Sequence, residues 1–132
     1  MASILVVDDE IEVGAAIRRA LERAGYLVTV AHNAAEGLDA VGRQPPDIVV
    51  TDIIMPKVHG VELIKTLRER YPRIRIIAIS GGGSFGPLGY KPEAISTHAY
   101  LAAAREAGAE EVLTKPFDLT DLIAAVRRLL PN

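Results

Sequence analysis

Short apolar runs alternate with amphipathic stretches along the chain, and the alternation repeats about five times with no break in composition that would mark a linker. The runs Ser3–Val7, Leu27–Ala31, Ile48–Thr51, Ile74–Ile79 and Glu111–Leu113 predict strands. Most are near-continuous in Val, Ile and Leu, as strands covered on both faces are. Between the first two, Val13, Ala16, Ile17, Ala20 and Leu21 form one helical stripe over Ile11–Ala24, stopped at Gly25, a residue suited to a left-handed cap. Asn33 can cap a second helix that runs through Leu38 and Val41 and is ended by Gly42 and Pro45-Pro46. Gly60–Arg70 carries Leu63, Ile64 and Leu67 on one face, and Tyr71-Pro72 stops it. An Ala-rich fourth helix ends at Ala107-Gly108. A fifth, Leu119–Leu130, has Asp118 or Thr120 at its start and Arg127 and Arg128 near its end, as the helix dipole favours. Strand and helix in strict alternation predict an α/β fold, a parallel sheet covered on both sides.

With 132 residues, the chain has the length of one domain. Fifteen Lys and Arg against 17 Asp and Glu leave a formal charge of -2, with the basic residues scattered. That balance argues against direct nucleic-acid binding. The absence of cysteine excludes disulfides, thiol nucleophiles and Cys-based zinc sites, and suits a reducing compartment. The run Ile4–Val7 is broken at once by Asp8, Asp9 and Glu10, far short of the ~20 residues of a membrane span. The expectation is a cytoplasmic protein with no membrane partner.

Open parallel sheets bind ligands beyond the carboxyl ends of their strands. The first predicted strand ends in Asp8-Asp9, the third in Asp52, the fourth in Ser80 and the fifth in Thr114-Lys115-Pro116, so these polar groups share one rim. Three carboxylates gathered there repel one another, and a hard divalent cation relieves the repulsion. Oxygen-only ligands suit Mg²⁺, which favours one or two carboxylates together with phosphate oxygens. Metal and Lys115 would surround Asp52 with the positive charge that phosphoryl transfer needs, making Asp52 the nucleophile. The Ser80 hydroxyl can donate to a phosphoryl oxygen.

These residues resemble the receiver domain of two-component response regulators over nearly the whole chain. The resemblance is carried by Val6-Val7-Asp8-Asp9-Glu10, by Asp52-Ile53-Ile54-Met55-Pro56 followed by Gly60, by Ser80, and by Lys115-Pro116-Phe117. It implies a doubly wound, flavodoxin-like sheet of five parallel strands in the order 2-1-3-4-5. It also implies that Asp52 takes a phosphoryl group from a phosphohistidine on a sensor histidine kinase or histidine phosphotransfer protein. In this reading Asp9 ligates Mg²⁺ directly, Asp8 acts through water or by orienting, Asp52 is a ligand, and the Ile54 carbonyl supplies another. Such a domain promotes its own phosphorylation and dephosphorylation but is not a turnover enzyme.

Two features depart from the receiver pattern. Val112, three residues before Lys115, stands where receivers usually carry Tyr or Phe. The connection at about 81–97 is longer than receivers usually have, with six Gly and Pro within Ser80–Gly89. Phe85, Leu88, Tyr90 and Ile95 suggest a partner or self-association element in Ser84–Ser96, before or within a fourth helix opened by Pro92. Gly81–Gly86 satisfies G-x-G-x-x-G, but a dinucleotide fold places that motif in its first βα turn, and Pro87 and Gly89 interrupt it here. His32, His59 and His98 lack metal spacing.

The expectation is one receiver domain over 1–132 with no output domain, signalling by binding an unidentified downstream protein. A homodimer through the fourth helix, fifth strand and fifth helix stays open beside a monomer. The alternatives are a Mg²⁺-dependent phosphohydrolase with an Asp nucleophile, for which a second acid/base and a capping segment are missing, and a receiver-like interaction module that is never phosphorylated. A flavodoxin-like mononucleotide binder would need a phosphate loop where Asp8 and Asp9 stand.

Overall fold

The computed structural model describes residues 2–53, 60–80, 102–114 and 117–130, with Ser80 described by its backbone. Five strands, β1 (Ser3–Val7), β2 (Leu27–Ala31), β3 (Ile48–Asp52), β4 (Arg75–Ser80) and β5 (Glu111–Thr114), form one sheet. Every pairing is parallel, and the order is β2-β1-β3-β4-β5, as the resemblance implied. The helices are α1 (Ile11–Arg23), α2 (Ala34–Arg43), α3 (Gly60–Arg70), α4 over 102–107, and α5 (Leu119–Leu129).

The period of two along each strand sorts the core into two layers. Leu5, Val7, Val49, Ile76 and Ala78 pack under α2 and α3 with Val41, Leu63, Ile64 and Leu67, and Ala104 of α4 joins them. The intervening residues Ile4, Val6, Ile48, Val50, Ile77 and Ile79 pack on the other face, with Ile17 and Leu21 of α1 and Leu122, Ala125 and Val126 of α5. Each fully buried Leu or Ile contributes roughly 2 kcal/mol, so both faces are held by burial rather than by helix propensity.

Most predicted boundaries shift by one residue, as at the ends of α1, β3, β4 and β5, and three of the shifts have a clear local reason. Ile74 is buried but belongs to the turn before β4, where its N–H donates to the Tyr71 carbonyl at 3.1 Å. Gly42 does not end α2, which runs on to Arg43. Gln44, extended ahead of Pro45, is the true stop, since proline disfavours the helical region for the residue before it. Leu130 lies outside α5 as its extended cap. Gly25 and Gly108 do adopt the left-handed conformation, with φ of 104° and 125°. Asn33 caps α2 by accepting from the Glu36 N–H at 2.8 Å.

At the rim where the strands begin, Arg68 of α3 ties distant segments together. Its guanidinium donates to the carbonyls of Pro72 (2.9 Å), Ile74 (3.2 Å) and Gly108 (2.7 Å) and to both Glu110 oxygens (2.8 and 3.0 Å). Glu110 also accepts from the Ile76 N–H at 2.8 Å. The two side chains are only 27% and 24% exposed, so removing the cation takes from Glu110 its nearest charge partner, leaving Arg75 at 3.5 Å and the Ile76 N–H, and takes the donor from three carbonyls. Arg68→Met should therefore lower unfolding free energy by about 2–3 kcal/mol, read as a shifted urea midpoint at unchanged slope.

Candidate functional site

The strand order reverses between β1 and β3, and the rim beyond their carboxyl ends is where this sheet opens a crevice. Val7 of β1 is paired with Thr51 of β3, so Asp8 and Asp52 occupy the next rung on either side of that opening. Both carboxylates are buried, at 1% and 2% exposure.

Local hydrogen bonds fix each position. The Asp8 N–H donates to the Ala31 carbonyl at 3.0 Å, extending the ladder to β2 by one residue. Asp8 Oδ1 accepts from the Glu10 N–H at 2.8 Å, an Asx-type turn that leads the chain from strand into helix. The Gly14 N–H then donates to the Glu10 carbonyl at 3.0 Å and opens α1. On the other side, the Thr51 hydroxyl donates to the Asp52 carbonyl at 2.9 Å, and the Ile53 N–H to the Ile79 carbonyl at 2.9 Å. The Gly60 N–H donates to the Ile53 carbonyl at 3.0 Å, bringing the start of α3 down on the end of β3. A Cβ at Gly60 would lie 2.3 Å from the Asp52 carbonyl oxygen and 2.6 Å from Ile53 Cα, so this approach requires glycine.

Carboxylate oxygens of Asp8, Glu10 and Asp52 all lie within 4.8 Å of one another. The donor set fits a hard cation: all ligands are carboxylate oxygens, two of the three are fully buried, and their mutual repulsion falls when a divalent ion is shared. Asp9, which the resemblance assigned to direct ligation, is exposed and outside this group. Glu10 stands in the group instead. Sequence reading did not single it out, because a glutamate after Asp-Asp reads as a first-turn helix acid; the available signal was its i, i+2 spacing from Asp8.

Ser80, the last residue of β4 and paired with Thr114, lies on the same rim one position beyond Ile79, the partner of Asp52. Lys115 and Ile54 lie outside the described residues, as do Ser84–Ser96, the Gly81–Gly86 motif, His59 and His98. Val112 is half-buried against the α2–α3 layer, so an aliphatic side chain occupies the position where receivers usually carry an aromatic one. His32 sits just past β2, with Nδ1 3.6 Å from Glu36 Oε1 in an exposed pair. A groove of about 510 Å³ at the opposite rim, lined by Pro45, Pro46, Tyr71, Leu129 and their neighbours, gathers no comparable cluster among the described residues.

A doubly wound parallel sheet with a carboxylate cluster at its switch point defines a class of cation-binding α/β domains. The comparisons with known proteins resolve the class further. The family model of the response regulator receiver domain matches residues 4–88, and the chain belongs to that family. The response regulator MprA of Mycobacterium avium (strain 104) is 35% identical over 127 residues, 96% of this chain and 50% of the relative. MprA of Mycobacterium tuberculosis (strain ATCC 25618 / H37Rv) matches with the same identity and coverage, so the chain spans about half the length of these curated relatives. Among solved structures, the receiver domain of NtrX from Brucella abortus superposes with a TM-score of 0.81 at 26% identity, covering 96% of this chain and 97% of that one. A response regulator receiver domain protein from Clostridium thermocellum gives 0.80 at 30% identity, covering 98% and 94%. The chain is thus a signalling switch domain of the two-component type. No described helix is long and apolar enough to cross a membrane.

Proposed function

We propose that Asp52 is the phosphoacceptor of this receiver. The observation that carries the reading is the convergence of the Asp8, Glu10 and Asp52 carboxylates within 4.8 Å at the switch point. An Asp52 carboxylate oxygen attacks the phosphorus of a phosphohistidine on a sensor kinase or histidine phosphotransfer protein. The P–N bond breaks, and its electron pair stays on the imidazole nitrogen, leaving an acyl phosphate on Asp52. Asp8 and Asp52 hold the cation site, the acidic segment Asp8-Asp9-Glu10 supplies the remaining side-chain ligand, and the resemblance adds the Ile54 carbonyl. A bound Mg²⁺ supplies charge neutralisation for the phosphoryl oxygens.

The other roles follow the resemblance. Lys115 pairs with the new phosphoryl charge, and the Ser80 hydroxyl donates to one of its oxygens and so registers its presence. Output passes to a downstream protein by binding. Because Val112 cannot act as an aromatic rotamer switch, the change travels through backbone movement at β4 and β5. Self-association through α4, β5 and α5 is the second route open to it.

Incubation with acetyl phosphate, with and without Mg²⁺, followed by mass mapping, tests the proposal. One phosphoryl group on the peptide containing Asp52, gained only with the metal, is expected. Modification elsewhere, or none in the presence of Mg²⁺, overturns it.

A further inference from the structure

The sheet ends on one side in β2, which pairs with β1 alone among the described residues. The Leu27 N–H donates to the Ala2 carbonyl and the Asp8 N–H to the Ala31 carbonyl, each at 3.0 Å, so Leu27, Thr29 and Ala31 turn their backbone groups toward β1. Alternation then points the N–H and C=O of Val28 and Val30 outward. Nothing in the sequence blunts this edge. Leu27–Ala31 holds no charge, proline or glycine, the residues that usually keep an edge from pairing with another strand. The side chains divide as well. Val28 and Val30 pack in the layer of α1 and α5, whereas Leu27 and Thr29 lie on the α2 side and are exposed, Leu27 by 56%. A groove of about 600 Å³ follows the edge, lined by Leu27, Val28 and Thr29, by Arg18 and Glu22 of α1 and by Arg43 at the end of α2.

We infer that this edge pairs with the same edge of a second copy of the chain, antiparallel, about a two-fold axis at Thr29. In that register Val28 of each copy stands opposite Val30 of the other, and the outward groups of the two pairs exchange four hydrogen bonds. Leu27 falls opposite Ala31 of the second copy and Thr29 opposite itself, which covers the exposed apolar surface on the α2 side. The helices leave room for this. α1 packs against β1 and β2 on one face and α2 against them on the other. The copy's helices are displaced by two strand spacings, about 9–10 Å, the distance at which helices pack side by side. Charge fits the same axis. Gly37 of α2 stands over Val7, which is in register with Ala31. Two residues back along β2, about 6.6 Å, correspond to about four residues of helix, so Thr29 lies level with Val41, midway between Asp39 and Arg43. Those two form an exposed ion pair at 3.1 Å within one chain. The two-fold sets the Arg43 end of one α2 beside the Asp39 end of the other, so opposite signs meet. This association needs no phosphoryl group, and it uses the edge of the sheet opposite to β5.

An interface of one short strand with its helix flanks is small, and a dimer dissociation constant on the order of 10–100 µM is expected. Sedimentation equilibrium of the full, unphosphorylated chain, carried to about 1 mM to span that range, should show the mass doubling. Thr29→Lys and Thr29→Glu each set like charges face to face at the axis and should weaken association by about tenfold or more, while an equimolar mixture of the two restores it. Thermal melts at low concentration establish that both variants, changed at an exposed side chain, are folded. Amide hydrogen exchange gives a second reading: Val28 and Val30 should slow as concentration rises, and Thr29 should not. A parent that stays monomeric throughout overturns the inference, even where the edge takes up an added β-strand peptide instead. A dimer that both variants keep at full strength, or whose Val28 and Val30 amides exchange as fast as in the monomer, meets on another face and overturns it too. Loss of association in each variant with no recovery in the mixture overturns the two-fold at Thr29.

Discussion

Asp52→Asn is expected to abolish acceptance of the phosphoryl group and, in metal-free buffer, to make the protein more stable than its parent. The first effect follows from the amide, which offers no anionic oxygen to attack phosphorus. The second follows from the cluster. Like charges within 4.8 Å repel by about 3–4 kcal/mol per pair at an effective dielectric constant near 20. Surrounding donors and counter-charges offset much of that, and a net gain of roughly 1–2 kcal/mol on removing the Asp52 charge is the expected balance. The sign reverses with metal. Mg²⁺ bound by the folded parent should raise its melting temperature by mass action, with a much smaller rise expected for the variant. Melts in chelator and in millimolar Mg²⁺, beside mass spectrometry after acetyl phosphate, separate the two effects. A variant that still gains a phosphoryl group sinks the assignment of Asp52. A variant less stable than the parent without metal sinks the account of repulsion.

The fold was legible because its information is local and periodic. Ile4, Leu5, Val6 and Val7 sit in two opposed core layers in strict alternation, and a strand buried on both faces has to be apolar at every position. Errors came where apolarity and geometry part company. Ile74 is buried as a turn residue, and Gly42 is a helix-interior glycine followed two residues later by the real stop. Of the site, Asp8 and Asp52 were legible because acids at strand ends are exceptional in an apolar pattern. Glu10 was hidden, since its place beside Asp8 and Asp52 depends on how a turn is wound. The Arg68 clamp was equally hidden, because its partners lie up to 42 residues away and no spacing rule connects them.

α3 links these two kinds of information. Its first residue, Gly60, rests on the backbone of Asp52 and Ile53, while Arg68 near its far end grips the turn before β4 and the approach to β5. The helix works as a strut between the carboxylate rim and the opposite one. The end of β3 and the starts of β4 and β5 are thus joined through one packed helix, a connection that the proposed output through backbone movement would use.

Gly60→Ala loads that strut at its most sensitive point. The added Cβ would lie 2.3 Å from the Asp52 carbonyl oxygen, and the atoms it meets are all backbone, which cannot rotate away. Either α3 lifts or the end of β3 bends, and an overpacked core contact of this kind costs about 3 kcal/mol or more. Gly42→Ala is the matched control. It too is a glycine within a helix, but its Cβ would meet nothing nearer than the Tyr71 hydroxyl at 3.8 Å. There the greater helix propensity of alanine should stabilise by about 0.5–1 kcal/mol. The two changes are chemically identical, so opposite shifts in urea midpoint isolate the contact with Asp52. Because the displaced carbonyl belongs to Asp52 itself, Gly60→Ala should also weaken Mg²⁺ binding in the molecules that remain folded, whereas Gly42→Ala should leave it unchanged. Equal stability of the two variants would mean that the helix start is free to move, and α3 could not then hold Asp52 in register with Asp8.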